Sequence, residues 1–152
     1  MGMKNLKIEI RIAHVSEIQS LRQLVLWPHK TLGQCVLDSD HDLETFHVAS
    51  FFQGQCVGTS TWQKESTEKW NCKEVFRLRA MAVHLDYRRL GIGEELIKFG
   101  IEHCKQKSIH GVWCDARMSA LDFYKELQFI EKGEVYFVPQ IGWHKFMYRE
   151  FI

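Results

Sequence analysis

Proline is scarce: only Pro28 and Pro139 occur in the 152 residues. There is no Pro/Gly/Ser-rich tract, low-complexity stretch or internal repeat, so nothing reads as a linker. One continuous domain over residues 1–152 is the expected organisation. Excess charge of one sign is lacking too. Lys plus Arg number 20 against 19 Asp plus Glu, a formal charge of +1. That balance gives no global attraction to nucleic acid or to an anionic membrane, and neither is expected as a partner. No apolar run approaches the roughly 18 residues of a membrane helix, and the opening MGMKNLKIEIRIAH alternates instead of forming a signal-peptide core. Leu6 stands where a myristoylation signal needs Ser or Thr. The five cysteines are odd in number and contain no Cys-x-x-Cys. Neither a disulfide framework nor a structural zinc site is expected, and persistent free thiols point to the cytoplasm. The histidines show no paired ligand spacing, so no metal is expected. Asp38, Asp40 and Asp42 open like a calcium loop. Leu43 replaces its glycine and Ala49 its closing glutamate, which leaves a solvated acidic loop as the expectation.

What is present is patterned. Lys7 to Ile12 alternates with period two and predicts a strand. Ser16 precedes Ile18, Leu21, Leu24 and Val25 at helical spacing, so it is the expected N-cap of a helix that Pro28 ends. Residues 29–44 read as a loop. Phe46–Phe52 and Gln55–Gln63 read as strands joined by a hairpin at Gln53-Gly54. A polar loop over Ser66–Lys73 leads to a third apolar run, Val75–His84. After Gly91 the period changes: Ile92, Leu96, Ile97, Gly100, Ile101 and Cys104 share a helical face. Val112-Trp113-Cys114 predicts a buried strand, and Ala120, Phe123, Tyr124 and Leu127 a further helix. Strands at Phe129-Ile130 and from Trp143 to Phe151 end the chain. The order is β-α-β-β-β-α-β-α-β-β, an α/β mixture.

The segment that carries chemical information runs from Val75 to Leu96. A strand is followed by Arg88 and Arg89 and then by Gly91-Ile92-Gly93 opening a long helix. The first amides of a helix lack internal acceptors and sit at the positive end of its dipole. Glycines let backbone approach a phosphate, and arginines add forked donors. No Gly-Lys-Ser/Thr follows, so this is not a Walker loop. The third glycine of a dinucleotide fingerprint is also missing. Spacing alone fits an anion cradle or an ordinary turn with solvated arginines.

Arg88-Arg89-Leu90-Gly91-Ile92-Gly93 resembles the Arg/Gln-x-x-Gly-x-Gly/Ala signature of the GNAT superfamily of acyl-CoA-dependent N-acetyltransferases. Leu78 to Val83 is similar to the strand before that loop. Phe123-Tyr124-Lys125-Glu126-Leu127-Gln128-Phe129 resembles the family's Phe-Tyr-x-x-x-Gly-Phe stretch, with Gln128 at the glycine. WCDAR from Trp113 and the tail IGWHKFM are similar to a bacterial subgroup of unassigned substrate.

The resemblance implies a GNAT fold of the α/β (α+β) class. That fold has a mixed, mostly antiparallel sheet of six to seven strands, splayed at its centre, with helices on both faces. It implies acetyl-CoA as cosubstrate and a primary amine, expected to be small, as acceptor. Pantetheine would run beside a bulged strand at Met81, Ala82 and Val83. The amides of Arg88, Arg89, Leu90, Gly91, Ile92, Gly93 and Glu94 would hold the diphosphate, with Asp115 also at the cofactor. Tyr124 would be the general acid for the leaving thiolate after direct attack through a tetrahedral intermediate. Many members place glutamate where this chain has Arg77, and asparagine where it has Arg117. Glu74, Asp115 and His144 are therefore the candidate bases, an imidazole being suited by its near-neutral titration. Specificity is expected in the loops 29–44, 64–74 and 134–143, and dimerisation through an exposed strand stays open. The alternative reading is a non-catalytic acyl-CoA-binding or regulatory module.

Overall fold

The computed structural model describes residues 6–151. In chain order the elements are β1 (Ile8–Ala13), α1 (Gln19–Val25), β2 (Phe46–Phe52), β3 (Gln55–Lys64), β4 (Val75–Val83), α2 (Ile92–Gln106), β5 (Gly111–Arg117), α3 (Leu121–Glu126), β6 (Ile130–Val138) and β7 (Gly142–Glu150). This is the order the hydrophobic periodicity predicts. The strands form one seven-stranded sheet in the order β1-β2-β3-β4-β5-β7-β6. Tight connections give antiparallel neighbours at β2–β3 and β6–β7, and β1–β2 is antiparallel across the longer segment that carries α1. The parallel pair β4–β5 needs a crossover, and α2 supplies it. Gln53 and Gly54 both have positive φ, +51° and +80°, which is the backbone of a two-residue hairpin turn with the twist of its strands.

The chain forms two compact units. One comprises the chain up to Gln63 together with Leu78–His103. In it, Trp62 is fully buried and stacks on Phe46 at 5.8 Å. Gly100 of α2 lies against that indole: a Cβ there would stand 2.0 Å from the ring, so the helix seats on β3 only through a glycine. The second unit comprises Lys64–Arg77 and Cys104–Ile152. Its core is Val75, Trp113 and Phe146, with Trp70, Cys72, Tyr136 and Tyr148 packed against them. The segment between β3 and β4 is held there by Trp113, whose Nε1 donates to Glu65 O at 2.7 Å, and by Trp70, whose ring lies 4.8 Å from Tyr148.

Several sequence expectations are corrected. Ser16 is not an N-cap. A 3₁₀ turn, Val15–Glu17, intervenes before α1, and His14 caps it: its imidazole accepts from Ser16 N while Glu17 accepts from His14 N at 2.8 Å. Leu24, assigned to the apolar face, is 60% exposed, and Arg22 takes the inward place. The reason is Asp40. The acidic loop is exposed at Asp38 and Asp42, as expected, but it forms a 3₁₀ turn, Asp38–His41, whose Asp40 is buried in a forked pair with Arg22 at 2.6 and 2.9 Å. The supposed loop 134–143 is mostly strand, because Tyr136, Phe137 and Val138 pair with His144, Trp143 and Gly142.

The end of α3 explains the departure at Gln128. Phe129 N donates to Tyr124 O at 3.0 Å and Gln128 N to Lys125 O at 2.9 Å, the bond pair of a Schellman cap. Such a cap needs a left-handed residue, and Gln128 has φ +70°. Gln128→Gly should therefore stabilise the fold by up to about 1 kcal/mol. A thermal melt should read this as a Tm raised by roughly 2–4 °C.

Candidate active site

In the first unit β4 ends at Val83, a 3₁₀ turn covers Leu85–Tyr87, and the chain reaches α2 through residues 88–91. Arg89 and Gly91 both lie in the left-handed region, at φ +62° and +83°. The first helical bond is Glu95 N to Gly91 O, 3.1 Å. The amides of Ile92, Gly93 and Glu94 consequently have no acceptor within the helix, and a helix of 15 residues adds its dipole there. Nothing lies within 4 Å of a Cβ built on Gly91, so the mouth of the loop is open. Ile92 is buried and anchors the turn, whereas Arg88, Arg89, Gly91 and Glu94 are exposed and Leu90 and Gly93 half-buried. Arg88 Nε donates to Val83 O at 3.2 Å, tying the loop to the strand end. The Glu94 carboxylate is drawn to Lys98 at 2.9 Å. This donor set fits a diphosphate: free amides, open space and two cations. Along β4, Ala82 is buried and Met81 and Val83 are half-buried. Ala80 has φ +50°, a left-handed residue inside a strand and the local mark of a bulge.

In the second unit β4 pairs with β5 only through Val75, Phe76 and Arg77, opposite Gly111, Val112 and Trp113. Arg77, at the position of the expected glutamate, is clamped. Its guanidinium donates to Asp115 Oδ2 at 2.8 Å and reaches Glu65 at 3.3 Å, and it lies over the Trp113 ring at 4.8 Å. Asp115 also accepts a short hydrogen bond from the Tyr136 hydroxyl. Both its oxygens are thus engaged. Burial, and then the bond to Asp115, hold the Tyr136 phenol well above its ordinary range, so it stays protonated. His144 is buried on β7. Its Nδ1 lies 2.8 Å from Gly142 O, and since a carbonyl only accepts, Nδ1 is the donor there and Nε2 is the ring nitrogen left for another partner. Glu74 is half-exposed and faces Lys64 at 3.5 Å. Arg117 is exposed and lies opposite His144 in register.

Tyr124 is buried on α3 between Phe123 and Phe129, with ring centroids at 5.1 and 5.2 Å. Its hydroxyl makes no hydrogen bond among the described residues. Burial, and next the neighbouring Cys114, push its pKa well up, so it is a neutral donor. Side chains alternate along β5, which puts Cys114, and with it Tyr124, on the sheet face opposite Asp115 and its register partner Phe146. Two steps along β7 keep His144 on the Asp115 face. The buried thiols are held protonated, Cys104 pushed up to about 12 by burial and Cys114 higher still. Among the described residues no His/Cys/Asp/Glu group could hold a metal, and no helix is long and apolar enough to cross a membrane.

Comparison with known proteins settles the family. The family model described as Acetyltransferase (GNAT) family matches residues 12–129. The chain belongs to the GNAT acetyltransferase family. This GNAT protein is 30% identical over 142 residues to YitI of Bacillus subtilis (strain 168), described as an uncharacterized N-acetyltransferase, across 93% of this chain and 95% of that one. Its fold is shared with the crystal structure of Escherichia coli ElaA, at TM-score 0.77 and 22% identity over 94% of this chain and 99% of that chain. It is shared also with an aminoglycoside 6'-N-acetyltransferase complexed with coenzyme A, at TM-score 0.71 and 14% identity over 93% and 96%. Membership makes the chain an acetyltransferase whose family reaction is acyl-CoA-dependent N-acetyl transfer.

Proposed function

We propose that this GNAT protein moves an acetyl group from acetyl-CoA to the primary amine of a small acceptor by direct attack. The observation that carries the reading is the loop Arg88–Glu94, with its left-handed Arg89 and Gly91 and its uncapped amides. Those amides and the guanidinium of Arg89 hold the diphosphate. The left-handed Ala80 breaks the regular run of β4, and in this reading the main chain of Met81 and Val83 serves the pantetheine amides, with the Val83 amide as donor for the oxyanion.

An amine must lose a proton before it attacks. Asp115 has both oxygens occupied and Glu74 faces a lysine in solvent, so His144 Nε2 is the base this geometry leaves. On the opposite face Tyr124, neutral and without an acceptor, gives its proton to the departing thiolate. The protonated cysteines are poor nucleophiles, which favours direct transfer over an acyl-enzyme. The clamped Arg77 also favours a second reading, an acyl-CoA-binding module without catalysis, since it removes the usual glutamate.

The deciding experiment is a screen of primary amines with detection of released CoA thiol, beside calorimetry with acetyl-CoA. Transfer to an amine supports the enzyme; binding with no thiol release across the panel supports the module. Gly91→Asp should weaken acetyl-CoA about tenfold or more, because a Cβ at positive φ costs roughly 1–2 kcal/mol and the carboxylate repels phosphate. Unchanged affinity would remove this loop from the site. His144→Gln should lower kcat/KM by about 10²–10⁴-fold, the range expected when a general base is removed.

A further inference from the structure

Tyr136 stands beside the candidate base without any role in the reading above. It is the register partner of His144 across β6–β7, and the two rings stack with centroids 6.1 Å apart and planes at 22°. That is the offset geometry aromatic pairs prefer. The Tyr136 ring is itself immobilised. Its hydroxyl donates to Asp115, which Arg77 holds, and the ammonium of Lys69 lies over the ring at 4.0 Å. Lys69 is fixed in turn at its backbone, where Lys132 Nζ donates to Lys69 O at 2.5 Å. An imidazole held only by Nδ1 to Gly142 O could rotate about its Cβ–Cγ bond, carrying Nδ1 away from the carbonyl and losing the tautomer that leaves Nε2 bare. Stacking on a pinned neighbour opposes that rotation.

We infer that Tyr136 is a positioning residue: through its stack it fixes the ring plane and tautomer of His144 and so keeps Nε2 available to take the acceptor's proton. The inference rests on the reading of His144 as the base. It also assigns a purpose to the Glu65–Arg77–Asp115 chain, which ends on the Tyr136 hydroxyl and does not reach His144 directly.

The test is nitrogen NMR of the histidine rings in the chain of residues 1–152, the His144 signals assigned by their loss in His144→Gln. The wild type should show His144 as a single Nδ1–H tautomer. Tyr136→Phe keeps the stack and should keep that tautomer. Tyr136→Leu should shift both ring nitrogens toward one averaged position, while His14, His47 and His84 keep their wild-type signals and report that the fold is intact. Tyr136→Val, a better strand former, serves if the leucine variant does not fold. A tautomer that stays fixed in the folded leucine or valine variant overturns the assignment of Tyr136 and leaves the base reading standing. A kcat/KM that His144→Gln leaves at the wild-type value overturns the base reading, and the catalytic meaning of Tyr136 falls with it.

Discussion

Tyr124→Phe should lower kcat by about 10²–10⁴-fold, the range expected when a general acid is removed. KM for acetyl-CoA should barely move. The phenyl ring retains the packing against Phe123 and Phe129, and the lost hydroxyl has no hydrogen-bond partner among the described residues to strand. Steady-state kinetics at saturating acetyl-CoA, with the best acceptor from the amine screen, measures both numbers. A thermal melt within a few degrees of wild type shows that the fold is kept. Turnover equal to wild type would take Tyr124 out of the mechanism. A rise in KM with kcat unchanged would make it a binding residue.

Arg22→Ala should cost roughly 3–5 kcal/mol, because it leaves a buried carboxylate without its counter-charge. For a domain this long that is a Tm lower by roughly 6–20 °C. Arg22 also donates to Cys35 O at 3.2 Å and to Thr61 Oγ1 at 2.7 Å, so its loss strands several partners at once. Acid should weaken the wild type through the same cluster. Burial alone would raise the Asp40 carboxyl, but the bonds from Arg22 and Leu37 N hold it below its ordinary value. Its stabilisation is complete above an unfolded carboxylate pKa of about 3.9 and disappears as pH falls through the lower folded value. His47 is depressed first by burial, against the pull of Asp40. The unfolded chain therefore takes up its proton first, below about pH 6.5, and stability drops there as well. Urea midpoints measured across the acid range should decline for the wild type. They should decline less at the acid end for Arg22→Ala, where the Leu37 N bond and His47 are left to oppose burial at Asp40 without the guanidinium.

The parts legible in the sequence are those governed by local chemistry. Period two and period 3.6 place the strands and helices, and glycines 91 and 93 after two arginines mark the loop because backbone freedom is written in residue type. What escaped depends on distant partners. Spacing puts Arg22 on the face of Ile18, Leu21 and Val25 but its charge reads as exposed, and Asp40, brought in by an intervening turn, makes it internal. Arg77 reads as a missing glutamate until Glu65 and Asp115 are found around it. Val135 and Phe137 alternate as strand residues do, yet Gly133 and Pro139 nearby read as loop punctuation. Pairing with β7 decides the matter. Gln128 shows the converse: the sequence reveals a departure from the usual glycine, and the left-handed backbone at that residue reveals what the departure costs.

Consecutive residues of β5 point to opposite sides of the sheet, Cys114 toward Tyr124 and Asp115 toward the neighbourhood of His144. On the roles proposed here, the hydrogen ion stripped from the incoming amine and the one handed to sulfur are then different ions. Each turnover would leave an imidazolium on one side and a phenolate on the other, the nitrogen would shed a second proton as the amide forms, and water must carry these charges off before the next cycle. Catalysis would thus be sensitive to hydration on two surfaces independently, and slowing proton exchange at either, for instance with heavy water, would throttle the whole sequence even with the acyl transfer untouched.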